Sequence, residues 1–211
     1  MEVTKISVQI KNPNRVNVFV DGKFYRGLDR IVAMKLGLRR GLTLTPYLVK
    51  QLENTQQQNS AWEYALRSLQ RSPKSIKTLR QKLMAKFEPA VVDEAIEKLV
   101  ANQIVDDDKL AQNLVVQYIE QGSKSKKQIT AKLIQKGIPR DVIQKAATDV
   151  TRDHEYSAAL KLAQHKARGL KDIPWREKFE KIGAHLARRG FNYELIRAVV
   201  TPENLEIEEP A

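Results

Sequence analysis

The 211-residue chain has a mass of 24.1 kDa, 42% hydrophobic and 29% charged residues, and a formal net charge of +12. This composition is that of a folded, soluble protein, and the absence of cysteine excludes disulfides and thiolate metal sites and favours the cytoplasm. No apolar stretch reaches the ~18 residues that a membrane helix needs, and the excess of positive charge suggests an anionic partner.

The first 54 residues predict a small β-containing segment. Apolar and polar residues alternate over 6–10 and again over 16–20, as in half-buried strands. The dipeptide at 21–22 (Asp-Gly) predicts a type I′ turn, and a third strand begins at Lys23.

Two helices are predicted to follow in this segment. Asp29 is expected to cap the first helix through its side chain, and Gly37 is expected to end it. Thr45 and Pro46 begin the second helix, with the proline at its first position. The polar stretch 55–59 (TQQQN) has no apolar periodicity and is interpreted as a linker.

From residue 60 onward the apolar spacing is helical, and one short pattern occurs three times. Its copies are residues 79–87 (LRQKLMAKF), 129–138 (ITAKLIQKGI) and 182–191 (IGAHLARRGF), about 50 residues apart. Each copy precedes another helix that carries two adjacent apolar residues. A repeat of this length indicates stacked supersecondary units, each too small to bury its own apolar face.

The repeat register predicts a mostly α-helical chain, with three tandem three-helix repeats in an elongated array after a small N-terminal β-hairpin and α segment. The predicted segments are an N-terminal segment at 1–54, repeat one at 55–105, repeat two at 106–151, and repeat three with an acidic tail at 152–211.

Several helix ends in the repeats carry recognisable caps. The triplet 106–108 (DDD) is expected to cap the first helix of repeat two, with coordination of a cation as the less favoured alternative. Ser125 and Gln128 have the spacing of a capping box. Gly137 and Gly190 are expected to end the second helices of repeats two and three.

No catalytic or cofactor motif occurs in the sequence. There is no P-loop, no glycine-rich dinucleotide turn and no HExxH pattern, so the chain is predicted not to be an enzyme and to need no cofactor. His154, His165 and His185 have no metal-binding spacing, and no metal site is expected. Trp62 and Trp175 are interpreted as packing anchors.

Basic residues are concentrated near the second helix of repeats one and two. Residues 66–87 contain seven basic residues and no acidic one, and residues 122–140 contain six and none. Adding 50 to the positions of four lysines in repeat one gives a lysine of repeat two each time. The pairs are Lys74 and Lys124, Lys77 and Lys127, Lys82 and Lys132, and Lys86 and Lys136.

These eight lysines and Arg71 are the predicted contacts to an anionic partner. Helical geometry directs positions 74 and 77, and their counterparts in repeat two, away from the buried face. Repeat three has Glu177 and Glu180 at the equivalent positions, so the basic face is assigned to repeats one and two. The alternative is that these lysines are only a solvated face.

The order of these motifs resembles the RecX family, bacterial regulators of the RecA recombinase. The resemblance covers about residues 60–200 and is most specific at 105–111 (VDDDKLA) and 129–138. The N-terminal segment resembles the β-containing extension of some members from Gram-positive bacteria. Leu110 and Ser125 depart from the family's usual aromatic and glycine at these positions.

This resemblance implies a non-enzymatic modulator that lies along the RecA–DNA filament. Such proteins restrain filament growth and reduce RecA's ATP hydrolysis and strand exchange. Contacts with single- or double-stranded DNA would be made through phosphates and would weaken with salt. We expect no membrane partner, and we expect a monomer.

Two other classes of protein remain open. A helical repeat protein that binds the DNA phosphate backbone directly would need no RecA, and its affinity would fall steeply with salt. A general adaptor unrelated to recombination would not bind RecA at all.

Overall fold

The computed structural model describes residues 1–170 and 173–205. Its strands are β1 (Val3–Gln9), β2 (Asn12–Val20) and β3 (Lys23–Asp29). Its helices are α1 (Arg30–Lys35), α2 (Pro46–Arg71), α3 (Ile76–Met84), α4 (Pro89–Ala101), α5 (Asp107–Glu120), α6 (Lys126–Gln135), α7 (Arg140–Ala146), α8 (Arg152–Ala167), α9 (Trp175–Arg188) and α10 (Tyr193–Val199). Short 3-10 helices follow at Ala147–Asp149 and Glu203–Leu205.

The predicted fold class is confirmed. In the described ranges, every strand lies before residue 30, and three three-helix repeats follow. The remainder of the predicted acidic tail, from residue 206 onward, lies outside the described residues. The structure divides into two compact units, one of residues 1–73 and 79–104 and the other of residues 74–78 and the described residues from 105 onward.

The N-terminal strands form an antiparallel sheet in the order β1-β2-β3. Alternate residues of β2, from Val16 to Val20, are buried against α1 and the start of α2. Asp21 and Gly22 have φ angles of 48° and 79°, as the predicted type I′ turn requires. Ile10 was predicted to continue the first strand, but it lies in the turn after β1 and is fully exposed.

Helix α2 is continuous through residues 55–59, so the linker interpretation is wrong. The polar side chains of this stretch bind Asp29 of the same unit. Gln56 accepts the backbone N–H of Asp29 at 3.0 Å and donates to its carboxylate at 2.6 Å, and Asn59 donates to the same carboxylate at 2.9 Å. Burial of hydrogen-bonded amides therefore replaces the apolar periodicity that the helix lacks.

The same contacts explain why Asp29 does not cap α1 as predicted. Asp29 is the N-cap residue by position, but its side chain makes no hydrogen bond to the helix. Its carboxylate is occupied by Gln56 and Asn59 instead. Gly37 follows α1 with a φ of 60°, as expected for a helix stop, and Thr45 caps α2 through the N–H of Leu48.

Equivalent positions of the three copies are buried in each repeat. The buried pairs are Leu79 and Leu83 in α3, Ile129 and Leu133 in α6, and Ile182 and Leu186 in α9. The cores of repeats two and three gather around the last two pairs, with Trp175 packed against the core of repeat three. The repeat register read from the sequence is thus the register of the core.

Repeats two and three, both in the second unit, are joined through Ser125. Its hydroxyl donates to the carbonyl of Arg189 at 2.6 Å and accepts the N–H of Gln128 at 3.2 Å, which completes the predicted capping box. Gly190 follows the accepting carbonyl with a φ of 86°, and a Cβ there would lie 3.1 Å from the Ser125 hydroxyl and from Lys127. Glycine is therefore required at this joint.

Ser75 makes the same joint within the second unit. Its hydroxyl donates to the carbonyl of Lys136 at 2.6 Å and accepts the N–H of Thr78. Gly137, with a φ of 77°, comes next, and a Cβ there would lie 2.9 Å from the Thr78 hydroxyl and 3.0 Å from that of Ser75. One serine thus caps its own helix and binds the end of the equivalent helix in the following repeat.

A second hydrogen bond accompanies each serine contact. The N–H of Ile76, the first residue of α3, donates to the carboxylate of Asp107 at 3.0 Å. The N–H of Lys126, the first residue of α6, donates to the carboxylate of Glu155 at 2.9 Å. Both acceptors lie at the start of the first helix of the following repeat, and both satisfy an amide that a helix leaves without an internal partner.

The aspartate triplet makes three different contacts. Asp106 accepts the N–H of Lys109 at 3.0 Å, which confirms the predicted cap of α5. Asp108 forms an exposed ion pair with Lys145. Asp107 is buried at the joint, and burial raises the pKa of its carboxyl, as do the neighbouring charges of Asp106 and Asp108, whereas the backbone hydrogen bond that it accepts lowers it.

We predict opposite effects of alanine at two glycines of the α9 copy. Gly190→Ala should destabilise the protein by more than about 1 kcal/mol, because alanine is strained at positive φ and its Cβ meets the Ser125 joint. Gly183→Ala should stabilise it by about 0.5–1 kcal/mol, because this helical glycine leaves room for a Cβ 3.5 Å from Ile196. Urea unfolding measures both, and equal effects would contradict the assignment of the joint.

Asp107 gives a second prediction. Asp107→Ala should cost about 1–3 kcal/mol, because it leaves the partly buried N–H of Ile76 without this acceptor, whereas Asp107→Asn keeps an acceptor and should cost less. The raised pKa means that the folded state of the natural protein binds the proton more tightly than the unfolded state.

Stability from this carboxyl is therefore present at acid pH and lost as the pH rises through its folded pKa. As the pH is lowered, the unfolding free energy of the natural protein should increase relative to that of Asp107→Asn. If the difference in unfolding free energy between the two proteins is the same at neutral pH and at pH about 4, the raised pKa of Asp107 is contradicted.

Candidate nucleic-acid interface

Seven of the nine predicted contact residues are exposed. They are Arg71, Lys77, Lys82, Lys86, Lys127, Lys132 and Lys136. Lys74 and Lys124 are half-buried, so the prediction that they stand in solvent on the helices is wrong. The physical reason is that the serine caps place the start of α3 and α6 after these lysines. Glu177 and Glu180 are exposed on α9, as predicted.

Six of the nine residues belong to the second unit. Lys77 and Lys127 occupy the same place in the two joints. A Cβ at Gly137 would lie 3.6 Å from the Cβ of Lys77, and one at Gly190 would lie 3.1 Å from the Cβ and Cδ of Lys127. The aliphatic stems therefore lie beside the glycines, while the side chains as a whole remain exposed.

Two of the lysines lie over tyrosine rings. The ammonium of Lys124 is 4.9 Å from the ring centroid of Tyr118 and is hydrogen-bonded to Gln121. In the first unit, the ammonium of Lys86 is 5.0 Å from the ring centroid of Tyr64. These cation–π contacts restrict the position of the charge without neutralising it.

A small basic groove lies where repeat two meets repeat three. Its volume is about 280 Å³, and Lys124, Lys132 and Arg189 line it together with Ser123, Gln128 and Gln135. Among the described residues that line it, none is acidic. Sequence reasoning found the two lysines but missed Arg189, because the basic face was assigned to repeats one and two alone.

Positive charge continues from Arg189 along the end of α9. Burial lowers the pKa of His185, and the neighbouring charges of Arg189, Lys166, Arg188 and His165 lower it further. All of these neighbours carry or can carry positive charge. The third repeat thus has a cationic region of its own, despite its glutamates at positions 177 and 180.

The described residues contain no group of histidine, aspartate and glutamate that could hold a metal ion. No helix in the described ranges is long and apolar enough to cross a membrane. Trp175 packs as predicted, and half-buried Trp62 lines a groove of about 730 Å³ in the first unit.

The exposed lysine pair gives a prediction for partner binding. Lys77→Glu with Lys127→Glu should reduce binding to DNA or RecA filaments about tenfold or more, which corresponds to about 1.4 kcal/mol, because two attractive contacts become repulsive. Co-sedimentation with RecA filaments, or fluorescence anisotropy with labelled DNA, measures the loss of binding. The thermal midpoint should hardly change, since exposed substitutions cost about 0.5 kcal/mol or less.

Two matched variants control for packing and for charge in general. Lys77→Gln with Lys127→Gln keeps most of each stem and should give a smaller loss of binding. Glu177→Lys with Glu180→Lys should not weaken binding. Unchanged binding by the folded glutamate variant would show that these lysines are only a solvated face.

Four family models match the chain in order. Residues 1–45 match the regulatory protein RecX N-terminal domain. Residues 61–99, 106–146 and 153–200 match the first, second and third three-helix domains of RecX.

Similar proteins and a similar solved structure extend over nearly the whole chain. A protein of Clostridioides difficile (strain 630) named regulatory protein RecX is 29% identical over 94% of this chain and 93% of its own length. A protein of the same name from Leuconostoc mesenteroides is 30% identical over 98% of this chain and 79% of its own length. A crystal structure of regulatory protein RecX superposes with a TM-score of 0.76 at 26% identity and covers 94% of this chain and 98% of that one.

Proposed function

This chain belongs to the RecX family, and we propose that it is a non-enzymatic regulator of the RecA recombinase. It binds along the RecA–DNA filament and restrains filament growth, ATP hydrolysis and strand exchange. The observation that carries the proposal is the ordered match of four RecX domains across the chain, together with relatives named regulatory protein RecX. DNA repair in the cytoplasm is the setting that this function requires.

The structure supports a binding role through repeated contacts rather than through one pocket. Lys77 and Lys127 recur at equivalent places beside the glycine of the following repeat. Repeated weak contacts on one chain raise the overall affinity for a partner that is itself a repeating polymer. A RecA filament is such a repeating polymer, since every RecA subunit along the DNA presents the same surface to a binding partner.

The proposed contacts are the nine basic residues predicted from the sequence. Arg71, Lys82 and Lys86 lie in the first unit, and Lys74, Lys77, Lys124, Lys127, Lys132 and Lys136 lie in the second. We propose that these residues contact DNA phosphates or an acidic surface of RecA, and that the protein acts as a monomer. We also propose that the segments 1–54, 55–105, 106–151 and 152–211 are its domains.

A second candidate function is direct binding to the DNA backbone without RecA. The basic groove, with no acidic side chain among its described lining residues, favours it. The two functions differ in salt dependence and in their need for RecA. For binding to DNA alone, the logarithm of the association constant should fall linearly with the logarithm of the salt concentration. The slope should be about −0.7 for each phosphate contact on single-stranded DNA.

The ATPase of RecA tests the main proposal. Substoichiometric amounts of this protein should slow ATP hydrolysis by RecA on single-stranded DNA, because restraint at one point of a filament affects many subunits. Steady-state hydrolysis is measured over a titration of the protein, with bovine serum albumin as the control for added protein. Unchanged hydrolysis at equimolar protein, with no co-sedimentation on RecA filaments, would refute the proposal.

A further inference from the structure

The joint between repeats two and three also builds a binding groove. The carbonyl of Arg189 accepts the hydrogen bond from Ser125, while the side chain of Arg189 lines the groove with Lys124 and Lys132. Repeat two supplies the lysines and repeat three supplies the arginine. The groove therefore exists only where the two repeats are joined.

We propose that this groove binds a single phosphate of the DNA backbone, with Lys132 and Arg189 as its charged ligands. The proposal rests on the proposed function only in taking DNA as the partner. It assigns a phosphate contact to repeat three, where the charge pattern of the sequence predicted none.

The lining chemistry is that of an oxyanion site. A guanidinium presents several N–H donors in a planar fork that fits phosphate oxygens, and an ammonium adds a second positive charge. Gln128 uses its carbonyl oxygen to accept the N–H of Ser125, which leaves its NH₂ group as a donor. Ser123 and Gln135 add further groups capable of donation.

Lys124 has a different part in the groove. Its ammonium is already held over Tyr118 and hydrogen-bonded to Gln121. Lys124 therefore contributes positive electrostatic potential from a fixed position and does not itself contact the phosphate. Lys132 is exposed and has the freedom to meet the ligand directly.

The size and composition of the groove favour phosphate over an acidic protein surface. A volume of about 280 Å³ is just below the range of sites for whole small molecules, about 300–1,000 Å³. A phosphodiester carries its charge on a compact tetrahedral group whose oxygens can accept from donors on two sides. Here the donors come from two repeats, so one phosphate can bridge the joint.

Bridging has a mechanical consequence for the second unit. Lys132 and Arg189 are like charges lining one groove, and the cations around His185 add to the local potential. An anion that binds both repeats stabilises their joined state by mass action, because the separated repeats cannot hold it in the same way. DNA binding and rigidity of the joint are thereby coupled.

The test compares groove variants with neighbouring variants outside the groove. Arg189→Ala and Lys132→Ala are each paired with an exposed control of the same residue type that is not among the nine proposed contacts, Arg188→Ala and Lys126→Ala. Arg189→Ala keeps the main-chain carbonyl that Ser125 binds, so the joint survives the change. Thermal midpoints verify folding of all four variants.

The probe is a fluorescein-labelled single-stranded oligothymidylate, followed by anisotropy without RecA at several salt concentrations. We expect each groove variant to lose at least about fivefold in affinity and to reduce the salt slope by about 0.7, and each control to lose less than about twofold. A peptide nucleic acid of the same sequence, which has no phosphates, should not bind.

The outcomes that overturn the proposal are distinct. Equal losses for groove and control variants would show general surface electrostatics without a site. Equal losses of affinity for polyglutamate and for the oligonucleotide would show a carboxylate-binding surface of the kind that an acidic protein fits. Either result leaves slowing of the RecA ATPase by the natural protein untouched, whereas absence of that slowing refutes the proposed function and not the groove.

Discussion

The bifunctional serine at the start of the second helix is the contact on which the repeats depend. Its hydroxyl has one proton and two lone pairs, so it can cap its own helix as an acceptor and donate to the next repeat at the same time. Ser75 and Ser125 are both fully buried and both donate at 2.6 Å. Replacing the serine removes both the hydrogen bond that it donates and the one that it accepts, each worth about 0.5–1.5 kcal/mol in net terms, which makes the serine difficult to replace.

The glycine is the other half of each joint, and the copies differ according to whether the joint is present. Copies two and three follow another repeat and have Gly137 and Gly190, both at positive φ. Copy one follows no repeat in this sequence and has Phe87, whose ring packs edge-on against Tyr64 at 6.1 Å between centroids. In copy three, buried Lys178 stands where the register places the serine. Lys77 lies beside Gly137, and Lys127 lies beside Gly190. The contact between repeats therefore also determines where these two positive charges are placed.

The sequence by itself determined the repeat, its core and most of the helix ends. Each of these is a local property: apolar spacing marks the buried face, and left-handed glycines, Thr45, Asp106 and the Ser125 capping box mark the termini. The periodic lysines could also be found, because they recur at the register of the core. The recurrence of Ser75 at Ser125 was visible in the same register and could have pointed to the joint.

Only the tertiary structure decided which polar groups meet across long stretches of chain. Residues 55–59 have no apolar period, yet they are helical because Gln56 and Asn59 bind Asp29, about 30 residues earlier. The same contact took Asp29 away from the cap that its position predicted. Asp107 and Arg189 likewise gained their environments from another repeat. Apolar periodicity reports which face of a helix is buried, but a hydrogen bond or a basic groove depends on the pairing of faces, and that pairing is set by packing in three dimensions.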